Sequence, residues 1–195
     1  MPILLEPDDF VRAAARLGCS VRAIRALDHV ESRGQGFLAS GEPTILYEPH
    51  VFHRGSGGRF DGEVVHIGGA AWPLSYRRWK RGAYGPTGIQ HTKLAAAVRL
   101  DREAALKACS WGRYQILGEN HRRCGFTTVQ AFVTAMYGSE QAHLSAFCAF
   151  IESDPKLHAA LRTLDWRTVA LRYNGSANVP TYSRLLAKAY NRFGE

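Results

Sequence analysis

No apolar run in the chain approaches the roughly 18 residues needed to cross a bilayer. The opening stretch, Met1-Pro2-Ile3-Leu4-Leu5-Glu6-Pro7-Asp8, is acidic and has no basic n-region, which argues against a secretory signal. No Cys-x-x-Cys pair occurs. Cys19, Cys109, Cys124 and Cys148 lie far apart, which argues against a structural zinc site, since that needs ligands at short spacing. They are expected to be small, mostly buried thiols, with two disulfides open to them only in an oxidising compartment. Internal repeats, low-complexity tracts and linkers are also missing. Between Val64 and Leu100 there is no Asp or Glu at all.

The residues that are present describe a folded, basic protein. Of 195 residues 46% are apolar and 22% charged, which excludes intrinsic disorder as a description of the whole chain. Lys plus Arg exceed Asp plus Glu by 25 to 17, giving a formal net charge of +8. A surplus of that size favours an anionic partner. The length suits one domain spanning residues 1–195, made in the cytoplasm, and a monomer is the expected state.

Turn and cap signals divide the chain. Pro7 to Leu17 reads as a helix stopped by Gly18, and Ser20 caps a second from Val21 to about Ser32, ended by Gly34 and Gly36. Pro43 to Tyr47 reads as a strand, followed by a brief helix around Pro49 to Arg54. Nine of the 19 glycines fall between Gly55 and Gly88, so that stretch is expected to be irregular. Helices are then expected at Ile89 to Leu100, Arg102 to Cys109, Val129 to Tyr137, Glu140 to Glu152, Pro155 to Thr163, Trp166 to Tyr173 and Tyr182 to Arg192, with a short turn at Glu119 to Cys124. The fold class is mainly α (α+β): a helical domain with a small strand-and-loop insertion.

In the second helix Val21, Ile24, Leu27 and Val30 span one half of the surface, and Glu31 projects into that half between Ile24 and Leu27. A carboxylate on a buried face is costly. At the C-terminal end of a helix the dipole also disfavours its ionisation. Both effects raise the pKa, as a general acid near neutral pH requires. The alternative is a Glu paired with Arg25 or Arg33 at a frayed helix end.

Glu31-Ser32-Arg33-Gly34 at a helix end resembles the catalytic-glutamate motif of the lysozyme-like superfamily. Ser110-Trp111-Gly112-Arg113-Tyr114-Gln115-Ile116 resembles its cleft-lining segment, and Arg172-Tyr173-Asn174-Gly175 its Tyr-Asn-Gly motif, in the expected order. More narrowly, residues 20–192 resemble the N-acetylmuramidase domain of phage endolysins and related bacterial peptidoglycan hydrolases. The segments from Val30 to Phe37, Ile45 to Phe52, Leu100 to Leu106 and Ala131 to Tyr137 carry that closer likeness.

The resemblance implies a lysozyme-like fold and cleavage of the β-1,4 bond between N-acetylmuramic acid and N-acetylglucosamine, with Glu31 as general acid. It implies a second carboxylate by the two-carboxylate logic whose type case is a lysozyme. Glu48 is the first candidate, or else only a Glu opening the short helix; Asp61 and Glu63 are in reserve. Gln115, Tyr173 and Asn174 would hold N-acetyl and hydroxyl groups, with Trp111 and Tyr114 in the cleft-lining segment. Otherwise Gln115 is a surface residue and Tyr173-Asn174-Gly175 a plain helix end. The partner is then the peptidoglycan glycan strand, with no nucleic acid, cofactor or metal expected. No separate peptidoglycan-binding module is visible. An enzyme without a signal would reach the wall through a holin, a secretion apparatus or lysis.

In the acid-free stretch Arg77, Arg78, Lys80, Arg81, Lys93 and Arg99 alternate with Trp72, Tyr76, Trp79 and Tyr84. Aromatic faces such as Trp79 suit sugar rings, and the cations suit stem-peptide carboxylates or an anionic envelope surface. A solvated basic face is the simpler account. His50-x-x-His53, with Glu48 and His66 nearby, lacks the His-Glu-x-x-His pattern of a zinc enzyme. The rival functions are a lytic transglycosylase, a chitinase, and a non-enzymatic binder of nucleic acid or anionic polymer.

Overall fold

Helix α1 (Pro7–Leu17) opens on a proline and stops at Gly18, whose φ of 61° lets the cap amide turn back onto the last carbonyls. The Ser20 hydroxyl accepts from the amide of Ala23 and starts α2 (Val21–Glu31). Strand β1 (Ile45–Tyr47) leads directly into α3 (Pro49–Gly55). These boundaries come from a computed structural model that describes residues 3–32, 35–80 and 82–194. The expected stop at Gly34 and the cation Arg81 lie outside the described residues.

The stretch expected to be irregular contains a hairpin. Strands β2 (Val64–Ile67) and β3 (Ala70–Pro73) pair antiparallel across Gly68 and Gly69, both at positive φ, as a two-residue hairpin turn requires. A 3-10 turn at Thr87–Ile89 then starts α4 (Gln90–Leu100). Asp101 caps α5 (Arg102–Lys107), which ends before Cys109 because that residue opens β4 (Cys109–Trp111). Strand β5 (Ile116–Leu117) completes an antiparallel sheet in the order β1-β4-β5, with Tyr47 opposite Cys109 and Trp111 opposite Ile116.

The rest is helical. Helices α6 (Val129–Met136), α7 (Glu140–Glu152), α8 (Pro155–Arg162) and α9 (Trp166–Asn174) are capped by the side chains of Thr128, Ser139, Asp154 and Asp165. Helix α10 (Val179–Arg192) starts three residues earlier than expected, because Pro180 fits its first turn. The chain is therefore mainly helical α+β. No described helix is long and apolar enough to cross a membrane. The four cysteines are free thiols, three of them buried.

Helix α2 lies against both α1 and α10, and its Ile24 and Leu27 belong to the same buried core as Leu17, Phe147 and Trp111. Its C-terminal end is fixed by charge as well. The Arg113 guanidinium, on the β4–β5 turn, donates from Nε and Nη2 to the two oxygens of Asp28 at 2.6 and 2.8 Å, and from Nη1 to Glu140 Oε1 at 3.2 Å. Glu140 also accepts from the amides of Gly36 and Leu5. The amide of Arg113 donates to His143 Nδ1, while His143 Nε2 donates to the carbonyl of Met136, which fixes the neutral tautomer. Gly112 has φ 66°, and a Cβ there would lie 2.7 Å from the His143 ring, so glycine is required twice over.

Removing a buried partner strands its counter-charges. Arg113→Met should therefore cost about 3–5 kcal/mol of unfolding free energy, since Asp28 and Glu140 both stay buried. Urea denaturation measures it, and a loss below about 1 kcal/mol would contradict the assigned role.

Candidate active site

Glu31 is the last residue of α2, and the chain leaves the helix at once because Ser32 is extended. Its carboxyl is half-buried, and its Oε1 accepts a 2.9 Å hydrogen bond from Asn174 Nδ2 at the end of α9. Burial pushes the Glu31 pKa up from 4.5 to about 7, and the Asn174 bond offsets only part of that rise. Arg25, one of the partners considered from the sequence, instead lies over the Phe193 ring at 4.7 Å. Arg33 falls outside the described residues.

A chain of contacts runs from Glu31 to an open cleft. Asn174 follows Tyr173, whose hydroxyl donates to the carbonyl of Tyr114, and Tyr114 precedes Gln115. Gln115 lines a cleft of about 750 Å³ together with Gln35, Thr44, Tyr84, Thr87 and Gln90. Neither Glu31 nor Glu48 lies on the cleft lining itself. Gln115 has φ 47°, an uncommon conformation for a non-glycine residue. Its Nε2 donates to the carbonyls of Gly112 and Thr44 at 2.9 and 3.2 Å, which holds the side chain in place.

Three of the expected sugar contacts have other places. Trp111 is 1% exposed, and its indole N–H donates to the carbonyl of Leu106. Tyr114 is buried, stacked on Phe147 at 4.3 Å, with its hydroxyl donating to Asp28. The Tyr173 hydroxyl turns inward, as described, and burial pushes its pKa well above the usual phenol range. Trp111 and Tyr114 are core, because two short strands and a tight turn pull the segment from Ser110 to Ile116 inside, whereas Tyr173 on α9 is partly buried and packs edge-on against Phe147 and Phe150.

Glu48 belongs to a second group. It occupies the position before α3, but its side chain makes no capping bond. Its Oε1 accepts from the Ser110 hydroxyl at 3.0 Å and its Oε2 from the Tyr84 hydroxyl at 3.3 Å, with His50 Nε2 3.7 Å away. Tyr84 in turn forms part of the cleft wall. The reserve carboxylates are elsewhere: Glu63 is exposed, and Asp61 accepts from Ser75 and His53, both of which hold its pKa below the usual range. No group of three metal-ligating side chains forms among the described residues.

The basic stretch divides. Arg77, Arg78 and Lys80 are exposed, and Trp79 is 57% exposed beside them. Tyr76 and Lys93 are buried, so they are not part of that face. Sequence reasoning also missed Asp28, Glu140, His143 and Gln90, all buried polar residues around the site. Each reads as an ordinary helix residue, and only Arg113, a cation inside an otherwise apolar and aromatic segment, hints at hidden partners.

A half-buried carboxylic acid of raised pKa, connected through Asn174, Tyr173 and Tyr114 to a residue of an open cleft on a mainly helical scaffold, is the arrangement of an acid-assisted glycosidase. The family model of the N-acetylmuramidases matches residues 20–194, and the chain belongs to that family. It is similar in structure to a Burkholderia AP3 phage endolysin, with 37% identity, a TM-score of 0.85, and coverage of 100% of this chain and 72% of that one. No curated protein matches the chain.

Asn174 favours the ionised form of Glu31, so Asn174→Ala should raise that pKa further. The alkaline limb of the rate profile on wall material, where the acid loses its proton, should then move to higher pH. An unchanged limb would dissociate Asn174 from the acid. Stability has a linked signature. The folded pKa exceeds the unfolded one, so the folded state holds the extra proton, and its stability falls as pH rises from about 4.5 to about 7. Relative to wild type, Glu31→Gln should gain about 1–3 kcal/mol between pH 4 and pH 8 in parallel denaturation curves. A pH-independent difference would contradict the shifted acid.

Proposed function

We propose that this peptidoglycan hydrolase cleaves the β-1,4 bond between N-acetylmuramic acid and N-acetylglucosamine, with Glu31 as general acid and Glu48 as the second carboxylate. The observation that carries the reading is the Glu31 carboxyl itself: half-buried at a helix end, hydrogen-bonded by Asn174, with its pKa raised to about 7. Such a group keeps much of its proton at neutral pH and can deliver it to a leaving glycosidic oxygen.

As that bond breaks, positive charge grows on the anomeric carbon and ring oxygen. Glu48 stabilises this charge or activates the attacking water, with its oxygens held by Ser110 and Tyr84. Gln115 commits its amide N–H groups to the backbone, which leaves its Oε1 as an acceptor for an N-acetyl N–H. Exposed Trp79 offers a ring face to a sugar. The neighbouring Arg77, Arg78 and Lys80 suit stem-peptide carboxylates or an anionic envelope surface. Residues 20–194 act on the wall as the catalytic domain, and the reaction so written needs no cofactor.

Glu31→Gln keeps the shape and removes the proton. It should lower the rate on purified peptidoglycan by about 10²–10⁴-fold with an unchanged circular dichroism spectrum. Wild-type activity in that variant would overturn the reading. Mass spectrometry of the products should find reducing N-acetylmuramic acid ends. Ends of the 1,6-anhydro type, with full activity in Glu48→Gln, would reassign the enzyme to the transglycosylases, which need no second carboxylate.

A further inference from the structure

Lys93 is out of place in its surroundings. Its side chain projects from α4 into the core and is 0% exposed. Among the described residues it has no carboxylate partner. Among the described residues its ammonium makes one hydrogen bond, from Nζ to the carbonyl oxygen of Tyr84 at 3.1 Å, and the Tyr47 and Trp72 rings lie 5.5 and 5.8 Å away. Burying an ammonium with so little compensation is costly, and the same desolvation brings its pKa down to about 8. A Leu or Met could fill this space without the penalty, so packing alone does not account for the amine.

The partner of the amine accounts for it. Residues 82–86 form a strap that supplies one wall of the cleft through Gly82, Tyr84 and Gly85. The strap has no regular secondary structure to hold it. Gln90, one turn before Lys93 and itself 1% exposed, donates from Nε2 to the carbonyls of Tyr84 and Pro86 at 2.8 and 3.0 Å, and more distantly to Gly85. Its Oε1 accepts from the amide of Tyr47 on β1. From the other side the Trp72 ring closes onto Gly85, where a Cβ would lie 2.6 Å from that ring at a φ of 75°. The strap is therefore hung on α4 by two buried polar side chains, and its Tyr84 hydroxyl reaches Glu48.

We propose that Lys93, acting with Gln90, is a positioning residue of the cleft: it holds the 82–86 strap where Tyr84 meets Glu48 and the bound glycan. The Lys93 ammonium touches neither substrate nor reacting atoms. It acts through the Tyr84 carbonyl, and the fold itself does not depend on its charge. The catalytic part of this inference rests on the muramidase reading of the cleft, and the strap part does not.

The test uses the full chain, with Lys93→Met, Tyr84→Phe and the double variant. Lys93→Met should keep a melting temperature at or above that of wild type. Backbone ¹⁵N order parameters of residues 82–86 should fall from about 0.85 to below about 0.6, while those of α2 and α7 stay unchanged. On solubilised peptidoglycan kcat/KM should fall about tenfold or more, through KM as the cleft wall loosens and through kcat as Glu48 loses its Tyr84 contact, while the pH limb set by Glu31 stays in place. The double variant should be no worse than Lys93→Met alone, since a loosened strap already releases the Tyr84–Glu48 contact that Tyr84→Phe removes. A strap that stays ordered in Lys93→Met overturns the proposal whether or not the chain cuts peptidoglycan. Additive losses, or a rate within twofold of wild type, overturn the catalytic part. Failure of both Lys93→Met and Lys93→Gln to fold would show that the lysine serves the fold, and would overturn it as well. If wild type leaves peptidoglycan uncut while the strap loosens as described, the muramidase reading fails and the strap assignment stands.

Discussion

The Arg113 fork is the interaction on which the site depends. It joins three parts of the chain that are distant in sequence: Asp28 on α2, the β4–β5 turn, and Glu140 at the start of α7. Asp28 lies one turn before Ser32, so the ion pair fixes the place where the helix stops and Glu31 leaves it. Glu140 holds the chain at Gly36, between Gln35 and Phe37 of the cleft wall. The charges are desolvated, so each depends on the others being in place. Neutral His143, stacked on Phe37 and bonded to the Arg113 amide, fills the remaining space.

Within that frame the acid is made by its environment. Glu31 needs no cation and no partner carboxylate to shift it; partial burial against the core suffices, and Asn174 moderates the effect. The cost appears as a loss of stability at neutral pH, a common feature of sites where a charged or strained group is kept for function. Gln115 at positive φ and Lys93 in the core are further local costs around the same cleft. They lie in two groups, one around Glu31 and Asn174, the other around Glu48, Tyr84 and Lys93, with the cleft lined between Gln115 and Tyr84.

How much of this the sequence discloses follows from the range of each interaction. Helix ends are local, so Pro7, Gly18, Ser20, Asp101 and Thr128 mark boundaries within a residue or two. Glu31 was legible for the same reason, as a carboxylate on an apolar helix face. The β2–β3 hairpin also had a local sign, Gly68-Gly69 between β-branched and aromatic residues, hidden by the glycines around it. Strand β4 had none: Cys109, Ser110 and Trp111 are all buried, so no alternation betrays them. The pairing of Arg113 with Asp28 and Glu140 spans long stretches of chain, and Lys93 meets a backbone carbonyl, that of Tyr84, in an irregular segment nine residues away; neither leaves a periodic trace. In sequence Trp111 and Tyr114 look like cleft residues, because an aromatic-rich segment reads the same whether it faces a sugar or the core.

The central claim is that folding alone turns Glu31 into an acid that holds its proton near neutral pH. Titration of its side-chain carboxyl by ¹³C NMR, in wild-type protein without substrate and with Glu31→Gln to assign the signal, tests this directly. A midpoint close to 7 is the expected result. A midpoint near the ordinary glutamate value of about 4.3 would contradict the account.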